Sequence, residues 1–310
     1  MPTPARVVIL PEDTAKLRIE EVQLPDPGPY QVVVKQYASG ICHSQLHNMH
    51  APRQGLTVLG HESTGVVLAA GKEVDHVREG DRVMVTWVPR NEEVAQRKAE
   101  GAVITLADGS TAASRNVFTW GDHTIADEQY VVPMPDDVPT DVTAIVGCAV
   151  MTGAGAVYHT AGVKEGDSVA IFGVGGVGLS AVVAAKVIGA DPIIAVDLDD
   201  EKLEFAKHHG ATIGVNASNG DAVDQIRALT MTEGEFDMLG RPLSGVDYAF
   251  DCIGHKVTME QIVPAARPGA FGRSSGGVAV LVGVPLTSVE LDARDILVNE
   301  KKFIGSIGGS

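Results

Sequence analysis

Hydrophobic and polar residues follow different patterns in the two halves of the 310-residue chain. In the first half, short β-branched runs are bounded by Gly, Pro and Asp, which is typical of strands. The clearest runs are ARVVIL, YQVVVKQYA, TGVVLAA and DRVMVTW. This pattern predicts a β-rich, barrel-like domain at the start of the chain.

The stretch from residue 89 to 129 is polar and predicts irregular structure. One hairpin is expected within it, in VITLADGSTAAS, where Asp108 and Gly109 supply the turn. The proline-rich sequence VVPMPDDVPTD follows and predicts a boundary between two domains.

From Asp141 onward the pattern changes, first to a helical period in VTAIVGCAVMTGAGAVYHT and then to alternating strands and helices. The predicted strands are SVAIF, PIIAVD, TIGVN, VDYAFDCI, GVAVLVGV and KFIGSIG. Helical patterns such as DEKLEFAKHHGA separate them, and this alternation predicts a parallel sheet. Six strands complete a doubly wound nucleotide-binding fold, so we expect an α/β chain with domains at residues 1–150 and 151–310.

Composition and charge exclude several classes of protein. A net charge of −16 argues against a nucleic-acid partner, because phosphate contacts need clustered Lys and Arg. Three cysteines are too few for a disulfide framework, so we expect a reducing, cytoplasmic location. The N-terminus lacks a signal-peptide pattern. The apolar run Val169–Lys186 is interrupted by glycines, which favours a buried strand–turn–helix and no membrane partner.

The sequence GVGGVG predicts a dinucleotide site. Gly173, Gly175 and Gly178 fit G-x-G-x-x-G, which is a weak signal alone. Here the motif follows a predicted strand and opens a predicted helix, so its backbone can approach a pyrophosphate at the helix N-terminus. The alternative is a glycine-rich turn that binds nothing.

Asp197 indicates which dinucleotide is bound. It ends the strand IIAVD and follows Gly178 at about the 20-residue spacing of the fold's ribose-binding acid. A carboxylate there accepts hydrogen bonds from the ribose hydroxyls and repels a 2′-phosphate. We therefore expect NAD rather than NADP.

The stretch GICHSQLHNMH raises the question of a metal site, since it holds Cys42 and three histidines. Zinc needs three or four ligands, and the missing ones are better sought on other segments. Candidates are His61 in LGHESTG and Cys148 in VGCAVMTG. Together the three residues would leave a fourth zinc position open, as catalytic zinc requires.

These motifs resemble one known family. GICHSQLH, LGHESTG, VREGDRVMV, GCAVMTG, GVGGVGLSA, AVDLDDEKLEFAKHHGA and VGVP occur in the order and spacing of the zinc-dependent alcohol dehydrogenases of the medium-chain dehydrogenase/reductase family, which use the same Cys2His ligand set. The resemblance implies a GroES-like catalytic domain followed by a Rossmann domain. It also implies an alcohol or carbonyl substrate and a homo-oligomer.

The resemblance further implies roles for individual residues. The catalytic zinc ligands would be Cys42, His61 and Cys148, with Glu62 behind them. Ser44 and His47 would form a proton relay, and a hydroxyl followed by an imidazole suits that chemistry. The residues implied at the cofactor are His43, Thr152, Gly173, Gly175, Gly176, Val177, Gly178, Asp197, Lys202, Ile253, Val282 and Val284.

Three departures from the family pattern are expected to matter. Residues 85–130 contain no cysteine, so we expect no structural zinc and a lobe held by packing alone. Gln45 stands where relatives commonly carry the Asp that orients the zinc-bound histidine. Relatives also continue past FIGSIGGS and return to the catalytic domain, so we expect this chain to be truncated or to need a partner.

Other readings of the sequence remain open. A polyol dehydrogenase or a zinc-free reductase of the same superfamily would share most of these motifs. A non-catalytic, NAD-binding remnant would bind NAD without turnover. Cys252 is read as a small buried hydrophobe.

Overall fold

The computed structural model describes residues 2–114, 116–269 and 275–309. The chain divides into two compact units, residues 1–148 and 149–310. Each unit contains its own hydrophobic cores.

The first unit is built mainly from strands. They are Thr3–Leu10 (β1), Arg18–Leu24 (β2), Gln31–Ser39 (β3), Leu56–Val58 (β4), Ser63–Ala70 (β5), Arg82–Val85 (β6), Val103–Leu106 (β7), Thr111–Ala113 (β8), His123–Asp127 (β9) and Val131–Pro133 (β10). A closed barrel has the order β1-β2-β7-β8-β4, and a five-stranded sheet has the order β10-β6-β5-β3-β9. The expected barrel-like β domain is confirmed.

Alternation along β1 shows why these segments form strands. Ala5, Val7 and Ile9 are buried, whereas the residues between them are exposed or half-buried. Side chains of a strand alternate between its two faces, so the apolar set points into the barrel with Ile104 and Phe118. The predicted hairpin also forms, as β7 and β8 pair across the turn at Asp108–Gly109.

Two expectations for residues 89–129 were wrong. The stretch contains β9, which pairs with β3 and is largely buried. The lobe around Glu92–Ala95 (α2) is not held by packing alone, because Arg97 makes ion pairs with Asp127 and Glu128. Arg115 lies outside the described residues.

The expected helical segment after Asp141 winds irregularly. It runs through a 3₁₀ turn at Val142–Ile145, a π-helical turn at Val146–Val150, the helix Met151–Gly155 (α3) and a second π-helical turn at Ala156–Ala161. By length and composition, Val142–Ala161 could cross a membrane. Core helices of soluble proteins meet the same criteria, and this segment contributes Ala156 and Val157 to a buried core.

The second unit is a parallel six-stranded sheet. Its strands are Val169–Phe172 (β11), Ile193–Asp197 (β12), Ile213–Asn216 (β13), Tyr248–Asp251 (β14), Val278–Leu281 (β15) and Lys302–Gly305 (β16). The order β13-β12-β11-β14-β15-β16 is that of a doubly wound Rossmann sheet. The helices are Gly176–Ile188 (α4), Asp200–His208 (α5), Ala222–Thr230 (α6), Lys256–Ala265 (α7) and Ala293–Val298 (α8).

Burial explains the apolar runs of this unit. All four residues of β11 are buried, as expected for a parallel strand covered by helices on both faces. The run Val169–Lys186 resolves into β11, a glycine turn and α4, so the predicted buried strand–turn–helix is confirmed. The glycine turn connects the end of β11, a central strand of the sheet, directly to the start of α4.

Candidate active site

Cys42, His61 and Cys148 lie together in the first unit. The Cys42 and Cys148 sulfurs are 3.7 Å apart, and His61 Nε2 lies 3.3 Å from the Cys148 sulfur. One ligand atom from each residue lies within 4.8 Å of the others. Among the described residues, this is the one cluster of three or more potential metal ligands.

The spacing of these atoms fits tetrahedral zinc. Two sulfurs at about 2.3 Å from a tetrahedral zinc are about 3.8 Å apart, and a sulfur and a nitrogen ligand are about 3.5 Å apart. The observed 3.7 and 3.3 Å agree with those edges. Two thiolates and a neutral imidazole also match the donor preference and charge of Zn²⁺.

The two thiols are strongly polarised. The Cys148 thiol donates to the Cys42 sulfur, and this hydrogen bond lowers the pKa of Cys42 to about 3, although burial opposes the shift. The hydrogen bond to Cys42 raises the pKa of Cys148, and burial raises it further. The pair therefore favours a thiolate at Cys42, which is the protonation state that a metal ligand needs.

Gln45 holds the imidazole of His61 from behind. It lies on Ser44–His50 (α1), and only 3% of its surface is exposed. Its Nε2 is 2.7 Å from His61 Nδ1, and its Oε1 accepts a hydrogen bond of 2.9 Å from Gly60 N–H. These contacts direct His61 Nε2 toward the sulfurs.

The predicted proton relay lies on the same helix. Ser44 Oγ donates to the Cys42 sulfur over 3.3 Å. The His47 ring lies one turn further on and packs edge-on against His43, with the ring centroids 5.5 Å apart. The structure thus places Ser44 against the cluster of potential metal ligands and His43 beside His47.

Glu62 and Trp87 complete the surroundings. Glu62 is buried, and its carboxyl group lies against Gly40, where a Cβ would come within 2.6 Å of the carboxyl carbon. Trp87 follows β6 and packs edge-on against His61, with the ring centroids 6.3 Å apart. The sequence did not indicate Trp87 as a site residue, and its only signal was an aromatic residue at the end of the predicted strand DRVMVTW.

The glycine turn of the second unit has the conformation that a dinucleotide site needs. Gly173 has φ +84°, and a Cβ there would lie 2.3 Å from Ile253. A Cβ on Gly178 would lie 1.8 Å from the Gly173 carbonyl oxygen. Gly175 caps α4 and faces open space, so the backbone is accessible where that helix and its N–H groups begin.

Asp197 reaches back to this turn from the end of β12. Its Oδ2 accepts a hydrogen bond of 3.0 Å from Val174 N–H, and its Oδ1 accepts one of 2.8 Å from Leu198 N–H. The carboxylate is half-buried and pointed at the glycine turn. Such an arrangement suits hydrogen bonding to the hydroxyls of a ribose.

The other predicted cofactor residues fall at several places in the second unit. Thr152 is buried on α3, and its Oγ1 has no hydrogen-bond partner among the described residues. Ile253 and Val284 are exposed after β14 and β15. Gly176 and Val177 lie at the start of α4. Lys202 is exposed on α5, and Val282 is buried after β15.

The comparisons with families agree with this geometry. Residues 28–136 match the alcohol dehydrogenase GroES-like domain. Residues 176–310 match the zinc-binding dehydrogenase family.

Individual relatives extend the match to nearly the whole chain. Alcohol dehydrogenase class-3 of Cereibacter sphaeroides is 32% identical over 98% of this chain and 85% of its own length. S-(hydroxymethyl)glutathione dehydrogenase of Paracoccus denitrificans is 31% identical over 93% of this chain and 80% of its own. The crystal structure of benzyl alcohol dehydrogenase from Acinetobacter calcoaceticus superposes with a TM-score of 0.84 at 28% identity, over 99% of this chain and 85% of that one. The chain therefore belongs to the zinc-dependent alcohol dehydrogenases of the medium-chain dehydrogenase/reductase family, and it is an oxidoreductase that transfers hydride between an alcohol and NAD.

Proposed function

We propose that Cys42, His61 and Cys148 hold one catalytic zinc and that the second unit binds NAD. The observation that carries the proposal is the cluster itself, with the two sulfurs 3.7 Å apart and the imidazole nitrogen 3.3 Å from one of them. Zinc in such a site acts as a Lewis acid that lowers the pKa of an alcohol oxygen. Two thiolates and one imidazole would hold the ion with three protein ligands, which is the ligand count of catalytic zinc sites.

Ser44 and His47 provide the route for the proton that the alcohol loses. Ser44 Oγ touches the Cys42 sulfur, so its hydroxyl is close enough to the ligand cluster to accept a proton from substrate and pass it on. His47 lies one helical turn later and is only partly buried, so its imidazole can exchange a proton with water. His43 packs against His47 and is proposed to face the cofactor phosphates.

The glycine turn and Asp197 provide the cofactor site. We assign the pyrophosphate to the N–H groups at the start of α4, around Gly175 and Gly176. The adenosine ribose is assigned to Asp197, with Lys202 nearby in sequence, and the negative charge of Asp197 favours NAD over NADP. The nicotinamide is assigned to Thr152, whose buried hydroxyl lacks a partner among the described residues.

The substrate is proposed to be a small alcohol with an apolar or aromatic group. Trp87 packs against the zinc-binding His61 and presents an apolar surface beside the ligand cluster. The similar crystal structure is of a benzyl alcohol dehydrogenase. Benzyl alcohol is therefore the first substrate to test.

Further proposals concern the metal content and the surroundings of the enzyme. All three cysteines are free, and two of them belong to the catalytic cluster, so a second zinc held by four cysteines is not available. Free cysteines also suit the cytoplasm.

The homo-oligomer is proposed to form at β16, which is an edge strand of the parallel sheet and can pair with another copy of the chain.

Elemental analysis and an NADH absorbance assay with benzyl alcohol test the proposal together. Wild-type protein should carry about one zinc per chain and reduce NAD. Cys42→Ser and Cys148→Ser should each lose zinc and turnover. Cys252→Ser is the matched control, because Cys252 lies in the second unit after β14, and it should retain both. Equal zinc content in all four proteins would refute the assigned ligands.

A further inference from the structure

We infer that Gln45 weakens zinc binding, because its buried amide presents a hydrogen-bond donor to His61 where the metal-bound imidazole needs an acceptor. The inference rests on the zinc site proposed above and concerns a positioning residue behind it. The neighbours of Gln45 determine the orientation of its side-chain amide.

Gly60 fixes that orientation. Its backbone N–H can only donate, and it lies 2.9 Å from Gln45 Oε1. The amide oxygen is therefore committed to Gly60, and the NH₂ group is left to face His61 Nδ1 at 2.7 Å. Both Gln45 and Gly60 are buried, so water cannot replace either contact.

This contact selects one tautomer of His61 in the metal-free protein. Nδ1 accepts from the Gln45 amide, so the neutral ring carries its proton on Nε2. Nε2 then donates toward the Cys148 sulfur, 3.3 Å away. The hydrogen bonds run in one direction, from Gly60 through Gln45 and His61 to the sulfurs.

Zinc requires the opposite arrangement at His61. The nitrogen that faces the sulfurs must give up its proton to become a ligand, and a neutral imidazole then carries its proton on Nδ1. That N–H would point at the NH₂ group of Gln45, so two donors would meet at 2.7 Å. Turning the amide over would satisfy His61 and leave the buried N–H of Gly60 facing a donor instead.

Either choice costs one buried hydrogen bond when the metal enters. A carboxylate in place of the amide removes the conflict, because one oxygen accepts from Gly60 and the other from His61 Nδ1–H. Changes to the groups that support a metal-bound histidine alter metal affinity by about 10- to 100-fold. Gln45→Glu should therefore bind zinc about 10- to 100-fold more tightly than the wild type.

Chelator competition measures this ratio directly, on Zn²⁺ and full-length protein. Gln31→Glu is the matched control: Gln31 Oε1 likewise accepts from a backbone N–H, that of Gly28, and the variant adds the same charge to the first unit away from the cluster. We expect Gln45→Glu alone to tighten zinc binding. Equal dissociation constants, within about twofold, for Gln45→Glu and wild type would overturn the inference.

Nitrogen NMR of metal-free protein provides a second readout that needs no zinc. The His61 signals, assigned with a His61→Gln variant, should show a protonated Nε2 and an unprotonated Nδ1 in the neutral ring. A proton on Nδ1 would overturn the inference even if zinc binds well. If neither the wild type nor Gln45→Glu binds zinc, the proposed zinc site is refuted. The tautomer of His61 in the metal-free protein would then still test whether Gln45 presents a donor to Nδ1.

Discussion

Arg97 clamps the carboxylate of Asp127 with two hydrogen bonds, one of 2.8 Å from Nη1 and one of 2.6 Å from Nη2. Asp127 is fully buried, and its oxygens also accept from the backbone of Glu100 and Gln129. The Arg97 guanidinium lies 4.1 Å from the centre of the Tyr30 ring. The pair ties the lobe after α2 to the five-stranded sheet.

Removal of Arg97 should destabilise the first unit. Arg97→Ala leaves the buried Asp127 charge without its main partner, and breaking one side of a buried pair costs about 3 kcal/mol. Urea unfolding should show that loss, and hydrogen exchange should show the segment around residues 92–100 losing protection. Arg97→Lys should recover part of it, because Lys keeps the charge but cannot make the paired contact.

Arg78 offers a matched control for this experiment. It pairs with Asp81 at 3.8 Å, but its side chain is 90% exposed, so water screens the interaction. Arg78→Ala should change the free energy of unfolding by less than about 0.5 kcal/mol. If Arg78→Ala and Arg97→Ala lower the free energy of unfolding equally, the buried pair of Arg97 and Asp127 stabilises the protein no more than an exposed ion pair does.

Asp247 should make the second unit sensitive to acid. Burial alone would raise its pKa, but hydrogen bonds from Arg267 and Ser168 outweigh burial and lower it. A carboxyl whose pKa is lower in the folded state stabilises the protein above its unfolded pKa of about 4, and that stabilisation disappears as the pH falls through the folded pKa. The wild type should therefore lose stability below about pH 4, and Asp247→Asn should lose less over the same range.

Thermal unfolding at several acidic pH values measures this difference. The exposed Asp13 provides the control, and Asp13→Asn should keep the acid dependence of the wild type. Parallel stability curves for Asp247→Asn and wild type would show that the ion pair with Arg267 does not contribute.

The sequence predicted the two kinds of fold because each has a strong local signal. Alternation in β1 and continuous burial in β11 follow directly from where their side chains must point. β9 was missed because HTIAD lies in a polar stretch, and its burial depends on pairing with β3, whose residues come about ninety positions earlier in the chain. Arg97 could not be assigned either, because a charged residue in a polar run gives no indication of its partner.

The sequence predicted the candidate metal ligands but not the hydrogen bonds that hold them in position. Cys42, His61 and Cys148 each stand in a recognisable motif, so the sequence indicated them together. Gln45 was noticed only as a departure, since the direction of a side-chain amide depends on a neighbour such as Gly60 N–H. Hydrogen-bond direction is a property of the folded chain.

Alanine substitutions in the glycine turn should separate folding from cofactor binding. A Cβ on Gly178 would lie 1.8 Å from the Gly173 carbonyl oxygen, which is a clash. Gly178→Ala should therefore destabilise the second unit by about 1–3 kcal/mol or more and abolish NAD binding. A Cβ on Gly175 meets nothing within 4 Å. Gly175→Ala should therefore keep its melting temperature and still bind NAD more weakly, because the methyl group occupies space where the pyrophosphate approaches. Calorimetric titration with NAD beside thermal unfolding distinguishes the two effects, and normal NAD affinity in Gly175→Ala would place the pyrophosphate elsewhere.

Asp197 should determine the choice between NAD and NADP. Its carboxylate accepts from Val174 N–H and Leu198 N–H at the point where the ribose is assigned, so its charge meets a 2′-phosphate directly. Asp197→Ser should lower the ratio of kcat/KM for NAD to that for NADP by about tenfold or more, equivalent to about 1.4 kcal/mol. Asp199 lies two residues later and caps α5 through hydrogen bonds to Glu201 and Lys202 N–H. Asp199→Ser removes the same charge but keeps a residue that caps helices well, so it should leave the ratio nearly unchanged. If both variants shift the ratio equally, the preference arises from the general negative charge of the DLDDE segment and not from a contact between Asp197 and the ribose.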